Sequence, residues 1–400
     1  VQHLSASFDL VSSGVNSASD RNSKSSTAPN GVGKSPASKQ HSRVALNHYQ
    51  IATSGGSVPD PAPQRDATWR DRLQRPLRDL RISVTDRCNF RCTYCMPRAI
   101  FGPGYEFLPK AQLLTFEEIT RLAGVFAALG TTKIRLTGGE PLLRRNLETL
   151  VAQLRHTVPQ VELTLTTNGS HLAAAARPLR AAGLARISVS LDALDDATFS
   201  QMNDVRFPVH RVTDGIAAAV SAGFAPVKIN AVIRRGVNQH AIKELAQRFS
   251  APEFVVRFIE YMDVGNSNGW RMNDVVTAAE IARELEQLGS LTPLPPQYTG
   301  EVARRYRTAS GGEIGIIASV TQPFCRNCNR ARLTADGRLF TCLFAATGTD
   351  LRVPLRAGAS DTDLAEIIQG IWSRREDRYS ETRTQSGSPR PKVEMSAIGG

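Results

Sequence analysis

The sequence predicts an α/β fold: an incomplete barrel of six βα units, of the TIM type, followed by a smaller C-terminal region. Three observations predict it. From Leu80 onward, short β-rich runs alternate six times with amphipathic helical runs, which argues for parallel βαβ units. Polar residues repeatedly follow the strands, which fits a barrel better than an open sheet, because barrels carry their chemistry at C-terminal strand ends. After Asp263 the alternation stops and a different pattern begins.

The first run, "LRISVTD" (80–86), reads as a strand that delivers a cysteine-bearing loop. "TFEEITRLAGVFAALG" (115–130) reads as a helix, with Thr115 as N-cap, Glu118 three residues on as a capping box requires, and Gly130 as its stop. Next come "TKIRLTGGE" (strand and loop), "RRNLETLVAQLRHT" (helix) and "VELTLTTNGS" (strand and turn). "LAAAARPLRAAGL" is helical, and Pro178 is expected to kink or break it. "ARISVSLDAL" gives a strand, "HRVTDGIAAAVSAGF" a helix, "PVKINAVIRRG" a strand, "NQHAIKELAQRFS" a helix and "EFVVRFIEYMD" the sixth strand. Beyond lie a helix near 277–289, a strand near 313–319, and a hairpin in "RLTADGRLFTC" turning at Asp336-Gly337.

Composition sets the outer limits. Apolar content of 41% and charged content of 22% are those of a globular protein. No apolar run reaches the roughly 18 residues that a spanning helix needs. Residues 1–70 differ: "SSGVNSASDRNSKSSTAPNGVGKSPASKQ" holds few large apolar residues and is expected to be disordered. Its low acidity with Ser, Arg and Lys fits an organellar transit segment, which would place a eukaryotic protein in the mitochondrial matrix; a plain extension fits as well, and the location is then cytoplasmic. The chain begins with Val1 rather than Met, so its true beginning is left open. The expected organisation is therefore 1–70 extension, 71–263 barrel and 264–400 C-terminal region. The formal charge of +12 calls for an anionic partner.

All six cysteines fall into two triplets: Cys88, Cys92 and Cys95, spaced C-x₃-C-x₂-C, and Cys325, Cys328 and Cys342, spaced C-x₂-C-x₁₃-C. Disulfides suit small secreted domains, and this chain has neither the size nor the signal. A structural zinc ion wants four ligands, so zinc needs a distant fourth ligand twice over. A 4Fe-4S cluster held by three thiolates explains the count directly and leaves one iron open, which favours it for the first triplet; for the second triplet taken alone, zinc stays open beside it.

The first triplet, with Tyr94 before its last cysteine, resembles the signature of radical S-adenosylmethionine enzymes. The "GGEP" of Gly138, Gly139, Glu140 and Pro141 resembles that superfamily's contact to the cofactor's amino group. Adding "RDLRISVTDRCNFRCTYCMP", "KIRLTGGEPLLRR", "VSLDAL", "KINAVI", "RFIEYMDVG" and "PFCRNCNRARLTADGRL", the chain closely resembles the molybdenum cofactor biosynthesis protein A family from about Leu80 to the final "GG".

That resemblance implies two 4Fe-4S clusters, S-adenosylmethionine as cofactor, and conversion of GTP to 3′,8-cyclo-7,8-dihydro-GTP, the first step of molybdenum cofactor biosynthesis. The first cluster would serve S-adenosylmethionine, and the second, on Cys325, Cys328 and Cys342, the guanine. Positions matching cofactor contacts are Tyr94, Gly138, Gly139, Glu140, Ser190 and Met262. Those matching GTP contacts are Arg81, Lys133, Arg135, Thr166, Lys228, Arg257, Arg330 and Arg332. Taken singly, Lys133, Arg135, Lys228 and Arg257 read better as solvent-facing strand residues or ion-pair partners, whereas Arg330 and Arg332, two and four residues past Cys328, share one face of a short strand. The resemblance also implies a C-terminal diglycine reaching toward the active site, a cyclic pyranopterin monophosphate synthase acting next with none fused at this end, an electron donor and a homodimer, with no nucleic acid and no membrane span. Two rivals stand beside it. One is a radical enzyme with an auxiliary cluster acting on a peptide, for which no docking module is visible. The other is a basic zinc-ribbon protein binding nucleic acid, against which the aromatic content of 6% weighs.

Overall fold

Alternation along the strands organises the molecule, which is described here for residues 69–383 and 391–399 of a computed structural model. The expected N-terminal extension lies, up to residue 68, outside the described residues. The strands are β1 (Asp79–Ser83), β2 (Lys133–Thr137), β3 (Glu162–Thr167), β4 (Arg186–Ser190), β5 (Val227–Ile233), β6 (Phe254–Glu260), β7 (Leu291–Leu294), β8 (Arg304–Thr308), β9 (Glu313–Ile317), β10 (Arg330–Leu333), β11 (Arg338–Phe340) and β12 (Thr349–Asp350). The helices are α1 (Phe116–Ala128), α2 (Leu147–Thr157), α3 (Leu172–Ala181), α4 (Asp196–Asn203), α5 (His210–Ser221), α6 (Ala241–Arg248), α7 (Ala278–Glu286), α8 (Arg352–Arg356), α9 (Asp361–Ser373), α10 (Tyr379–Thr382) and α11 (Met395–Ile398).

The strands form one sheet in the order β12-β11-β10-β1-β2-β3-β4-β5-β6-β9-β8-β7. Strands β1 to β6 run parallel, as six βα units predict, and the sheet does not close on itself, so the barrel is incomplete. Among the described residues the C-terminal region builds no sheet of its own. Its β10 adds in parallel to β1 and its β9 in parallel to β6, extending both edges of the barrel. No helix of the described residues is long and apolar enough to cross a membrane.

On each parallel strand one residue set faces the helices and the other faces the barrel lumen. Leu80, Ile82, Ile134, Leu136, Leu163, Leu165, Ile187, Val189, Ile229, Val256, Phe258, Ala331 and Leu333 are fully buried in the outer layer with Leu122, Phe126, Leu150, Leu179, Ile216 and Leu245 of the helices. Each such Leu or Ile contributes about 1.5–3 kcal/mol. Thr115 and Glu118 form the predicted capping box, the hydroxyl accepting from Glu118 N at 3.2 Å and the carboxylate from Thr115 N at 2.8 Å. The hairpin also forms: Gly337, at φ +84°, donates to the Thr334 carbonyl at 2.9 Å between antiparallel β10 and β11.

Pro178 does not break its helix; α3 runs through it to Ala181. The residue is exposed and near the C-terminal end, and Ala182 N still donates to the Pro178 carbonyl at 2.9 Å. Sequence reading also passed over α4, β7, β8, β12 and α8 to α11, mostly short elements or edge strands set by tertiary contacts.

Candidate active site

The inner residue set gives the lumen its character. Barrel lumens are ordinarily packed with branched apolar side chains. Here the inward positions of neighbouring strands are Arg81 on β1, Arg135 on β2, Thr166 on β3, Ser190 on β4, Asn230 on β5, Arg257 on β6 and Arg330 with Arg332 on β10, and all line one cavity of about 300 Å³. The registers pair Arg81 with both Arg135 and Arg332, so three guanidinium groups stand abreast. Arg135 Nη1 donates to Thr166 Oγ1 at 2.9 Å and to Ser188 Oγ at 3.2 Å. Gly315 stands beside Arg257, where a Cβ would meet its Cγ at 3.2 Å.

This charge is poorly compensated by protein groups. Burial, with Arg332 and the other arginines nearby, holds the Arg81 guanidinium well below its usual range. Burial lowers Arg257 and Arg332 to about 10 each. Lys228, inward on β5, falls to about 6 through burial and the charge of Arg257. The Nε atoms of Arg81, Arg135 and Arg257 are buried without a hydrogen-bond partner. A lumen of this kind suits an oligophosphate, whose oxygens accept from guanidinium forks.

Lys133 lies apart from the others. One turn of the pleat below Arg135, it lines a second cavity with Asp79, Glu162, Arg186 and Tyr298. Its Nζ is 3.8 Å from Asp79 Oδ2 and 5.5 Å from the Tyr298 ring centroid, and burial brings it to about 8. Lys228 lines neither cavity.

Cys88, Cys92 and Cys95 line the first cavity beside Tyr94, Gly138, Gly139 and Met262. The glycines admit the cysteine loop itself. A Cβ on Gly138 would lie 2.4 Å from the Thr85 carbonyl oxygen, and one on Gly139 would lie 2.3 Å from that of Arg87. Gly139 N donates to Thr85 O and Glu140 N to Arg87 O, both at 2.8 Å, so the loop is stitched to the GGEP turn. Glu140 is fully buried and accepts from Leu142 N, Thr167 Oγ1 and Asn168 N, while burial raises it to about 7. Tyr94 donates to Asp192 at 2.8 Å, and Asp192, raised to about 6 by burial, also accepts from Val232 N.

Cys325, Cys328 and Cys342 line the same cavity from the C-terminal region. Against the upward pull of burial, the charges of Arg330 and Arg375 bring Cys328 down to about 6. Burial pushes Cys342 up to about 12 and Cys88 to about 12, so most of these thiols hold their protons until a metal replaces them.

The C-terminal tail completes the cavity wall. Lys392 Nζ donates to Asp263 Oδ2 at 2.9 Å, and Glu394 accepts from Asn266 N at 2.9 Å and Ser267 Oγ at 2.8 Å. Met395 lines the cavity, Ile398 is fully buried, and the Gly399 carbonyl accepts from Arg332 Nη1. Gly399 sits at φ +72°, where a Cβ would meet Thr137 Cγ2 at 2.5 Å, so only glycine fits.

The donor sets fit iron–sulfur clusters better than the alternatives. All six cysteines are free, which removes the disulfide reading. Around one zinc ion, with Zn–S bonds of about 2.3 Å, sulfurs stand at most roughly 4.6 Å apart. Among the described residues, the only His, Cys, Asp and Glu group of three with every ligand atom within 4.8 Å of the others is the exposed Asp195, His240 and Glu244. Neither cysteine triplet is that compact, as expected of ligands to a larger cluster.

Sequence reasoning singled out neither Asp192 as the partner of Tyr94 nor Arg186 in the second cavity, although the latter shares the alternation of Ser188 and Ser190. It also passed over Asp71, Arg75 and Arg375, which no local pattern marks.

The Radical SAM superfamily model matches residues 82–249, and the Molybdenum Cofactor Synthesis C model matches 254–381. A GTP 3′,8-cyclase of Acidothermus cellulolyticus is 60% identical over 319 residues, covering 78% of this chain and 88% of that protein. Another, of Staphylococcus epidermidis strain RP62A, is 48% identical over 336 residues, covering 83% and 98%. The crystal structure of Streptococcus suis SuiB bound to S-adenosylmethionine shares the fold at 15% identity and a TM-score of 0.54, covering 81% of this chain and 77% of that one. The two cysteine triplets and the cationic lumen stand in a chain that these matches span almost throughout its described length, and the chain belongs to the GTP 3′,8-cyclase family of the radical S-adenosylmethionine superfamily.

Proposed function

We propose that this chain converts GTP to 3′,8-cyclo-7,8-dihydro-GTP, and that the observation carrying this reading is the cationic lumen placed between two cysteine triplets in one cavity. Cys88, Cys92 and Cys95 would hold one 4Fe-4S cluster and Cys325, Cys328 and Cys342 the other. When bound, the first cluster with S-adenosylmethionine would supply the radical chemistry for hydrogen abstraction at the ribose, and the second would help hold the guanine. Arg81, Arg135, Arg257, Arg330 and Arg332 fix the triphosphate, with Thr166 orienting Arg135, while Lys133 and Lys228, on β2 and β5 but outside that cavity's lining, add positive charge from farther away. Tyr94, held by Asp192, forms with Gly138, Gly139, Ser190 and Met262 the cofactor side; Glu140 braces the GGEP turn from behind.

The division near residue 263 separates the part that serves the cofactor from the part that supplies the second cluster. A low-potential electron donor reduces the clusters, a cyclic pyranopterin monophosphate synthase consumes the product, and the chain works as a homodimer. The relatives named above are bacterial, which supports the cytoplasmic location and gives the mitochondrial one no support.

The test is anaerobic. The protein is reconstituted with iron and sulfide and supplied with reductant, S-adenosylmethionine and GTP, and the products are read by mass spectrometry. 5′-Deoxyadenosine with a cyclic isomer of GTP is expected. 5′-Deoxyadenosine with unchanged GTP would remove the substrate assignment, and neither product from an iron-loaded protein would remove the reaction.

A further inference from the structure

The sulfur of Cys328 receives two guanidinium groups, Arg330 Nη2 at 3.4 Å and Arg375 Nη2 at 3.3 Å. Arg330 belongs to the substrate set; Arg375 has no part in it. At 4% exposure Arg375 is a full charge withdrawn from water, just beyond α9. It is fixed from several sides. Its Nη1 donates to the Cys328 carbonyl at 2.7 Å and stands 3.3 Å from Asp71 Oδ2, and the Trp372 ring centroid lies 4.5 Å from its guanidinium carbon. Asp71 also holds Arg75 at 2.5 Å, and Arg75 Nη1 donates to the Cys325 carbonyl at 2.8 Å. Asp71 is thus shared by two buried arginines, and Asp377 Oδ2 stands 3.5 Å from Arg375 Nε. Even so, Arg375 keeps one edge of its guanidinium for the Cys328 sulfur, where the thiolate of a bound cluster would place further negative charge.

The first triplet has different surroundings. Hydrogen bonds to the Cys88 sulfur come from Phe90 N at 3.4 Å and the Asn168 side chain at 3.9 Å. Arg91 turns its guanidinium to the carbonyls of Cys88 and Phe90, each at 2.8 Å. The acidic neighbours acting on these cysteines are Glu140, Asp192 and Glu394, with the cation Arg91 acting on Cys88. At the second triplet Asp377 acts on Cys342, against Arg330 and Arg375 on Cys328. Hydrogen bonds to sulfur and nearby positive charge stabilise the reduced, more negative form of a cluster, and nearby carboxylates oppose it.

We propose that Arg375, held in place by Asp71, tunes the cluster on Cys325, Cys328 and Cys342, raising its reduction potential above that of the cluster on Cys88, Cys92 and Cys95. A one-electron donor of low potential then reduces the second cluster first; one electron passes to the cluster, and no proton moves and no bond breaks. This rests on the proposed ligation of the second cluster.

The test is an anaerobic redox titration followed by electron paramagnetic resonance, with dithionite as the donor. Each cluster is read alone, in protein carrying Cys→Ala changes at the other triplet. The second cluster is expected to reduce at the higher potential. In Arg375→Met its reduced-to-oxidised ratio at a fixed potential is expected to fall about tenfold, which for a one-electron couple is about 59 mV, with Arg375→Lys restoring part of the loss. An unchanged midpoint in Arg375→Met, or the first cluster reducing earlier, would overturn the proposal. If Arg375→Met holds no iron, Arg375→Gln is read instead. Loss of the second cluster from all three variants, with the first intact, would assign Arg375 to assembly rather than tuning. Absence of any second cluster from protein with its native Cys325, Cys328 and Cys342 would instead remove the ligation reading itself.

Discussion

A lysine brought to about 6 by burial, with Arg257 next to it, is neutral at pH 7.5, and Lys228 is in that state while the lumen is empty. Lys133, at about 8, is only partly neutral. A triphosphate favours the charged form of both. GTP binding at pH 7.5 is therefore expected to take up protons, chiefly at Lys228. Because the bound state holds more protons, affinity weakens as pH rises above about 6. Calorimetry in buffers of different ionisation enthalpy measures the uptake, and Lys228→Met is expected to abolish most of it; uptake unchanged in that variant would place the protonation elsewhere. Gly139→Ala sets a methyl 2.3 Å from the Arg87 carbonyl oxygen. Overpacking costs roughly 1–3 kcal/mol where neighbours yield, and backbone yields least. The variant is expected to lose the first cluster, seen as halved iron content, while the second remains. At this scale the cysteines were legible because they are few and their spacing is chemical. Asp192 and Arg375 were not, because their roles depend on burial and on partners far along the chain.

The segment Lys392–Glu394 is a clasp that sets the tail against the loop after β6. Gly265 is part of the receptor: a Cβ there would fall 2.1 Å from Glu394 Oε2. Hydrogen bonds to a charged group contribute about 1.5–3 kcal/mol each, so Glu394→Ala is expected to lower the docked population of the tail by tenfold or more. Cyclisation should fall accordingly while S-adenosylmethionine cleavage continues; equal loss of both would make the clasp merely structural. The βα alternation was readable element by element because apolar periodicity changes from two to 3.6 at each boundary. Pro178 misled because the lost hydrogen bond falls on an exposed carbonyl near a helix end. The edge strands β7 and β8 escaped notice because none of their residues is buried and they carry no apolar alternation.

For the whole molecule, the chain carries a formal surplus of +12, and among the described residues arginines line the anion-binding lumen. Added salt screens exposed charge over about 10 Å at 0.1 M. The apparent KM for GTP is expected to rise with ionic strength while kcat holds, measured in a salt series of initial rates; a KM independent of salt would confine the electrostatics to the buried arginines. The barrel was foreseen with six strands, and what could not be foreseen was that β9 and β10 would take the next places on its two edges, since pairing between distant segments leaves no periodic trace. That pairing has a consequence for synthesis. β1 is among the first strands to leave the ribosome, yet its outer edge has no partner until β10 follows. Such long-range pairing slows folding and leaves an aggregation-prone edge bare in the meantime. A chain stopped before Phe324 would keep every βα unit and still present that naked edge, so premature termination is expected to yield insoluble protein rather than a half-active enzyme.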